Sequence, residues 1–279
     1  MAKSREQETA VATTDRGGSV TKAQPVSIGQ LASDASEFGM EFDRQDLAVP
    51  FLRIIQSNSP QVLQGKSEYM EEARPGMLFN TATRQLWTGS EGVYFLPVTY
   101  QRSFVEWTPR DKGGGFVKDH GAAGEDLMKT TQRNEKNKDI LPNGNELVQG
   151  ALYYGMIVDV DTGAFQQVAL VLTGKQMKKS RKFNTALESA TRMDAESGRP
   201  VKVPPFYRLW HFTTIPESNE KGNWFGFKIE PAAVIFDVAN GELAYERAKV
   251  MFKQVRSGEL KTQEPAENPD EPEDGKVPF

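Results

Sequence analysis

The chain has 279 residues, 34 Lys and Arg against 38 Asp and Glu, and 38% hydrophobic residues, giving a formal net charge of −4 and enough apolar material for a real core. It holds no cysteine and two histidines, His120 and His211, which excludes disulfides, cysteine nucleophiles, thiolate metal centres and histidine-rich metal cages. No run approaches the ~18 apolar residues of a membrane span and the N-terminus lacks a basic-then-apolar signal, so a soluble cytoplasmic protein with no membrane partner is expected.

Residues 1–40 are rich in Ser, Thr, Ala, Gln and Gly without an apolar period, and read as a flexible arm. The globular part is placed at residues 41–261. It begins with the short apolar segment Val49 to Gln56, followed by a Pro- and Gly-punctuated stretch to Gly76. Leu78 to Trp87 and Val93 to Trp107 are enriched in β-branched and aromatic residues around the turn signal Thr88-Gly89-Ser90-Glu91-Gly92, which predicts a hairpin. Residues 108–141 are polar and glycine-rich with no sustained period, and predict a long mobile loop with one helical turn.

Leu147 to Val160 and Phe165 to Leu172 flank Asp161-Thr162-Gly163 and form the most secure hairpin in the chain. Lys175 to Ala195 has helix-forming composition without proline. Phe206 to Thr214 and Trp224 to Ile229 predict another strand pair. In Gly241 to Arg256 the residues Ala244, Ala248, Met251, Phe252 and Val255 recur at helical spacing. Strands thus outnumber helices and do not alternate with them. The expected fold class is mainly β, all-β or α+β, as an OB-like antiparallel β-barrel with a long loop insertion and two helices, flanked by disordered termini.

Aromatic residues interleaved with bases carry the first functional signal. Alternation places Tyr94, Tyr100, Arg102 and Phe104 on one side of a strand and Trp107 on the other; Arg208 shares a side with Trp210, and Trp224 with Lys228. Rings beside cations suit the stacking of unpaired bases, whereas the competing use of each ring is to fill the barrel. The densest basic run holds Lys175, Lys178, Lys179, Arg181 and Lys182 within eight residues. On a helix its four lysines share a face beside the apolar Phe183, Leu187 and Ala190, which suits phosphate-backbone binding as well as a solvated surface. Arg110, Lys112 and Lys118, around Gly113-Gly114-Gly115, add a candidate clamp.

Catalytic readings are weaker. Asp159 and Asp161 could hold a metal ion but are also ordinary turn residues, and His120 beside Asp119 has no matching nucleophile. With no phosphate-binding loop, nucleophile elbow or zinc spacing, no enzyme, metal or cofactor is expected.

The C-terminus carries the second signal. From Thr262 onward come six acids, one lysine and four prolines, ending in Val277-Pro278-Phe279, so this tail holds −5 and leaves residues 1–261 at +1. Over its last 18 residues or so the chain resembles the acidic tail of bacterial single-stranded DNA-binding proteins and their phage counterparts, and its overall look is similar to phage replication-module proteins. The resemblance implies that Val277, Pro278 and Phe279 enter pockets on replication or recombination partners, while Asp270, Glu271, Glu273 and Asp274 meet basic rims. Gly275 and Lys276 depart from the family's acidic run. The combined expectation is non-catalytic, sequence-independent binding of single-stranded DNA in replication or recombination, with the tail recruiting partners and competing for the DNA groove. A homo-oligomer is compatible with it. The alternatives are a virion structural or assembly protein and a metal-dependent nuclease using Asp159 and Asp161.

Overall fold

A computed structural model describes residues 47–262 apart from Lys221, with Ser33, Asp34 and Glu37 ahead of them. The chain divides between Phe42 and Asp43, and the second unit carries every strand named below. The strands are β1 (Leu52–Ile54), β2 (Leu78–Asn80), β3 (Leu86–Trp87), β4 (Val93–Trp107), β5 (Phe116–Asp119), β6 (Gln132–Arg133), β7 (Asp139–Ile140), β8 (Glu146–Val158), β9 (Phe165–Thr173), β10 (Thr191–Met193), β11 (Pro200–Lys202), β12 (Arg208–Asn219) and β13 (Gly222–Val234). The helices are α1 (Gly124–Met128), α2 (Met177–Glu188) and α3 (Gly241–Arg256).

The fold is mainly β, an antiparallel sheet curled into a half-barrel, with the two expected longer helices and the long insertion. Its axis is β4 paired with β8 along almost their whole length, from Phe95↔Ile157 to Trp107↔Glu146. β12 joins the start of β4 and β5 its end, β9 runs along the other edge of β8, and β13 closes the order beyond β12. β8 is buried at every position but Gln149, which accounts for its nearly unbroken apolar sequence: it has a core on each face. One core gathers Leu96, Val98, Leu152, Tyr154 and Met156 against Ala244, Ala248, Met251 and Val255 of α3. The other gathers Phe95, Tyr153, Ile157, Leu170, Trp210, Phe212 and Phe227 around Phe183 of α2.

The hairpin β8–β9 and helix α3 form where the sequence places them. Asp159 Oδ1 accepts from the amides of Asp161 and Thr162 at 3.0 Å each, and Gly163 takes φ +71°, a left-handed conformation open to glycine. Other expectations need correction. Leu78 to Trp87 does not pair with β4. It folds back on itself as β2–β3, because Asn80 Oδ1 accepts from the amides of Ala82 and Thr83 and turns the chain at Arg84, which has φ +58°. With β1 it makes a separate three-stranded sheet whose Phe51 bridges to Ala169 of β9.

Residues 108–141 hold the expected helical turn, α1, and add the short strands β5, β6 and β7, and the segment packs Leu127, Met128 and Leu141 on Phe104 and Leu147. Their elements are too short to show a period; the contacts with β4 and β8 hold them. α2 stops at Glu188 rather than Ala195, and β10–β11 follow around Asp194, whose Oδ2 accepts from the Ser197 amide and hydroxyl. β12 and β13 are longer than expected and meet at Asn219↔Gly222.

α2 packs on β13 at one end of the half-barrel and on β8 and β9 at the other, so it spans the opening of the curled sheet. Phe183 anchors it, edge-on to Trp210 at 4.9 Å and Phe212 at 5.7 Å and tilted on Tyr153 at 5.2 Å. The Tyr153 hydroxyl, its pKa pushed up to about 12 by burial, stays protonated and bonds Ser180 Oγ and Asn184 Oδ1 of the helix at 2.7 Å each. Truncating Phe183→Ala should therefore cost about 3–5 kcal/mol in urea unfolding. A loss under ~1 kcal/mol would mean the helix is peripheral to the core.

Candidate nucleic-acid interface

Lys175 lies in the turn before α2, and Lys178, Lys179, Arg181 and Lys182 lie on the helix itself. The lysine face of the sequence reading is divided by the fold. Lys179 reaches the free edge of β13, where its ammonium pairs with Glu217 and donates to the Phe227 carbonyl at 2.5 Å. It therefore works as an edge cover for the sheet and is not available to a phosphate. Lys178, Arg181 and Lys182 are exposed and make no ion pair among the described residues, so their charge faces solvent.

The Lys175 ammonium sits 3.8 Å from the centroid of the Trp224 ring, a cation–π contact worth ~0.5–2 kcal/mol depending on exposure. Trp224 stands opposite Glu217 across the β12–β13 hairpin and donates its indole N–H to Glu217 Oε2 at 2.7 Å. Gly226 makes room for this arrangement, since a Cβ there would meet Gln176 Nε2 at 2.5 Å and Glu217 Oε2 at 2.7 Å. From the other side Gln56 holds the hairpin through its neighbour, donating to the Phe225 carbonyl at 2.9 Å and accepting from the Phe225 amide at 2.8 Å. A cleft of about 400 Å³ opens between Ser57 and the hairpin residues Glu217, Ser218, Asn223, Trp224 and Phe225.

The remaining sequence candidates separate into other places. Phe104, Trp107 and Trp210 are 1%, 2% and 7% exposed, so they are core rings and offer no face to a base. Tyr94 does not share a side with Tyr100, because β4 carries a bulge between Pro97 and Thr99 that reverses the alternation. Tyr94 instead packs on the α3 side and stacks on His211 at 4.8 Å. Tyr100 and Arg102 do share a side; Tyr100 leans on Tyr153 at 5.2 Å, and Arg102 is paired with Glu125 at 2.5 Å. Lys112 and Lys118 are exposed in the insertion, Arg208 is exposed at the start of β12, and Lys228 is paired with Glu230 at 2.9 Å. The side chain of Arg110 and the tail residues Asp270, Glu271, Glu273, Asp274, Val277, Pro278 and Phe279 lie outside the described residues.

The residues of the catalytic alternatives are engaged elsewhere among the described residues. Asp159 is held as a turn acceptor, its carboxyl kept below the usual range by the Thr162 and Asp161 amides, and no cluster of three or more His, Asp or Glu suited to a metal occurs among the described residues. His120 pairs with Glu106 at 2.7 Å rather than with Asp119. Glu106 is buried and also accepts from Asn143 Nδ2 at 2.8 Å and Asn145 Nδ2 at 2.6 Å, while the buried Glu146 accepts from Lys138 at 2.7 Å. This network ties the insertion to β4 and β8. Sequence reasoning missed it because its bonded partners are up to 39 residues apart.

These features define the class of the molecule: a mainly β half-barrel spanned by a basic helix, with an aromatic cleft at one end. Among the described residues no helix is long and apolar enough to cross a membrane. The chain matches the family described as Pam3 phage gp34-like protein over residues 21–261. It belongs to that family, which makes it a phage-related protein. No curated protein and no solved structure matches it.

For Glu106, burial raises the carboxyl pKa, but hydrogen bonds from Asn145, Asn143 and His120 outweigh it and bring the value below normal. Its folded pKa is depressed, so its contribution to stability is complete above the unfolded value of ~4.3 and is lost as pH falls through the folded value. Glu106→Gln should destabilise by about 1–3 kcal/mol at pH 7. In urea unfolding at pH 7 and again at about pH 3, the gap to the unmodified protein should narrow at the lower pH. A gap of constant size would remove the charge of Glu106 from the account.

Proposed function

We propose that this phage-related protein binds single-stranded DNA without sequence preference and without catalysis, as a replication or recombination factor of the phage. The observation that carries the reading is the exposed Lys178, Arg181 and Lys182, unpaired among the described residues, on a helix whose preceding turn sets Lys175 on a half-buried indole. Cations in that setting neutralise phosphates, and a ring within reach of them stacks an unpaired base, the two components of sequence-tolerant single-strand binding. The near-neutral body, at +1, gives no general attraction to DNA, so the reading rests on the local patch.

Changing Lys175, Lys178, Arg181 and Lys182 together to Gln should weaken binding of every oligonucleotide alike and reduce the salt slope by up to about four, close to one per phosphate contact. Lys179 is left in place because its loss would uncover the β13 edge and remove the cation paired with Glu217. Anisotropy titrations of labelled oligo-dT and of duplex at several salt concentrations test this. Equal affinity for duplex and single strand, or an unchanged slope in the folded variant, would contradict it.

The acidic tail extends the proposal: it would recruit partner proteins and compete with DNA for the basic helix. Deleting residues 263–279 keeps Thr262, which bridges to Val49, and moves the net charge from −4 to +1. DNA affinity should rise at low salt and the gain should fade at high salt. Phe279→Ala should leave DNA affinity alone and abolish capture of host or phage replication proteins; if both variants behave as the intact chain, the tail has neither role.

One observation favours the second reading, an assembly protein. Phe236, Leu243 and Val250 are exposed around α3, and Phe236 lies against Tyr245 and Tyr207 at ring separations of 4.9 and 6.2 Å. Such rings suit a protein contact. Sedimentation of the protein with and without oligo-dT separates the readings, because assembly without DNA would favour this one.

A further inference from the structure

We infer that the cleft beside the β12–β13 hairpin is a subsite for one nucleobase of the bound strand, stacked on Trp224, with the phosphates on either side carried by Lys175 and the α2 cations. The inference rests on the single-strand reading above and assigns its stacking partner. Trp224 is the tryptophan that remains once the others are placed: of the four, Trp107 and Trp210 are core, and Trp87 packs against the core from the β3 hairpin. Trp224 is instead half-buried, lines the cleft and carries a lysine ammonium on its ring.

Charge decides which part of a nucleotide enters. Glu217 lines the cleft, where Lys179 and Trp224 Nε1 hold its carboxylate in place. A phosphate would meet that carboxylate, whereas a neutral base would meet the indole and the hydrogen-bonding groups of Ser57, Ser218 and Asn223. Lys175 does not line the cleft, so it can hold a phosphate at the rim while the base stacks inside. At about 400 Å³ the cleft is at the small end for ligand sites, a size for one ring system rather than a run of stacked bases. The walls are preset, since Gln56 clamps Phe225 from one side and Glu217 orients Trp224 from the other.

The test uses the full chain with two labelled probes of equal length and charge, oligo-dT and an abasic strand. Trp224→Ala should weaken oligo-dT binding by about 5- to 150-fold, the worth of one stacked base, with the salt slope unchanged. Its affinity for the abasic strand should stay as in the unmodified protein. Trp224→Phe, which keeps a ring, should recover most of the oligo-dT affinity. In case Trp224→Ala disturbs the hairpin, photocrosslinking the unmodified protein to a 4-thiothymidine strand gives an independent readout, and the adduct should map to residues 216–225. Tight oligo-dT binding that ignores Trp224→Ala, or adducts confined to other segments, would overturn the subsite while leaving single-strand binding intact. If the unmodified protein binds neither probe, the single-strand reading fails and the subsite falls with it.

Discussion

The packing of Phe183 into the open side of the half-barrel is the interaction on which the rest of the molecule depends. A curled sheet ordered β13-β12-β4-β8 with β9 beyond does not close on itself, and its inner face would expose Phe95, Phe212 and Phe227. α2 supplies the missing wall. Phe183 meets Tyr153 from β8 and Trp210 and Phe212 from β12, so one ring joins both flanks of the sheet. The same placement sets Lys179 against the edge of β13 and Lys175 over Trp224, while the outer surface of the helix keeps its remaining cations in water. Core and surface are therefore specified by one helix: its buried stripe fixes where its charged stripe stands.

The two cores also explain why the aromatic residues divide as they do. Rings on β4, β8 and β12 are drawn inward because both faces of the central strands are covered, by α3 on one side and α2 on the other. Along the strands, aromatic exposure becomes available where cover ends, at the distal half of the β12–β13 hairpin and at the middle of β4, where Tyr100 stands between the segments paired with β12 and β5. Trp224 lies in the first of these places. Its distance from the core leaves its ring half-buried rather than sealed in.

Much of this was legible in the sequence where a segment was long and its pattern regular. β4, β8, β9 and α3 show their periods over nine residues or more, and the Asp-Thr-Gly turn has its own side-chain chemistry. The pattern failed where one residue changed the local rule: Asn80 turned an apparent strand back on itself, and the bulge after Pro97 reversed the sides of Tyr94 and Tyr100. The two-residue strands of the insertion are too short to carry a period. At the site the lysine run was plain, but Gln56, Ser57 and Glu217 were not. Gln56 lies 169 residues from Phe225, and nothing local marks it. Glu217 was within reach, since counting the hairpin inward to its Asn219↔Gly222 end sets it directly across from Trp224.

Placement of charge follows from the same geometry. With a body near neutrality, a basic surface arises only if cations are kept from the acids around them, and over much of the fold they are not: Arg102 is held by Glu125, Lys129 by Asp126, Lys202 by Glu188, Lys228 by Glu230 and Lys249 by Glu246. Most such exposed pairs add little to stability, yet each cancels a local positive potential. α2 departs from this arrangement because its only acid, Glu188, is at its last position and is engaged with Lys202 of β11. Lys178, Arg181 and Lys182 repel one another, and the helix tolerates this because Phe183 and the Tyr153 hydrogen bonds hold it down. A polyanion that relieved the repulsion would gain that energy on binding. The structure thus uses the stability of its core to maintain a patch unneutralised among the described residues beside a half-buried indole, a combination that the paired charges elsewhere do not provide.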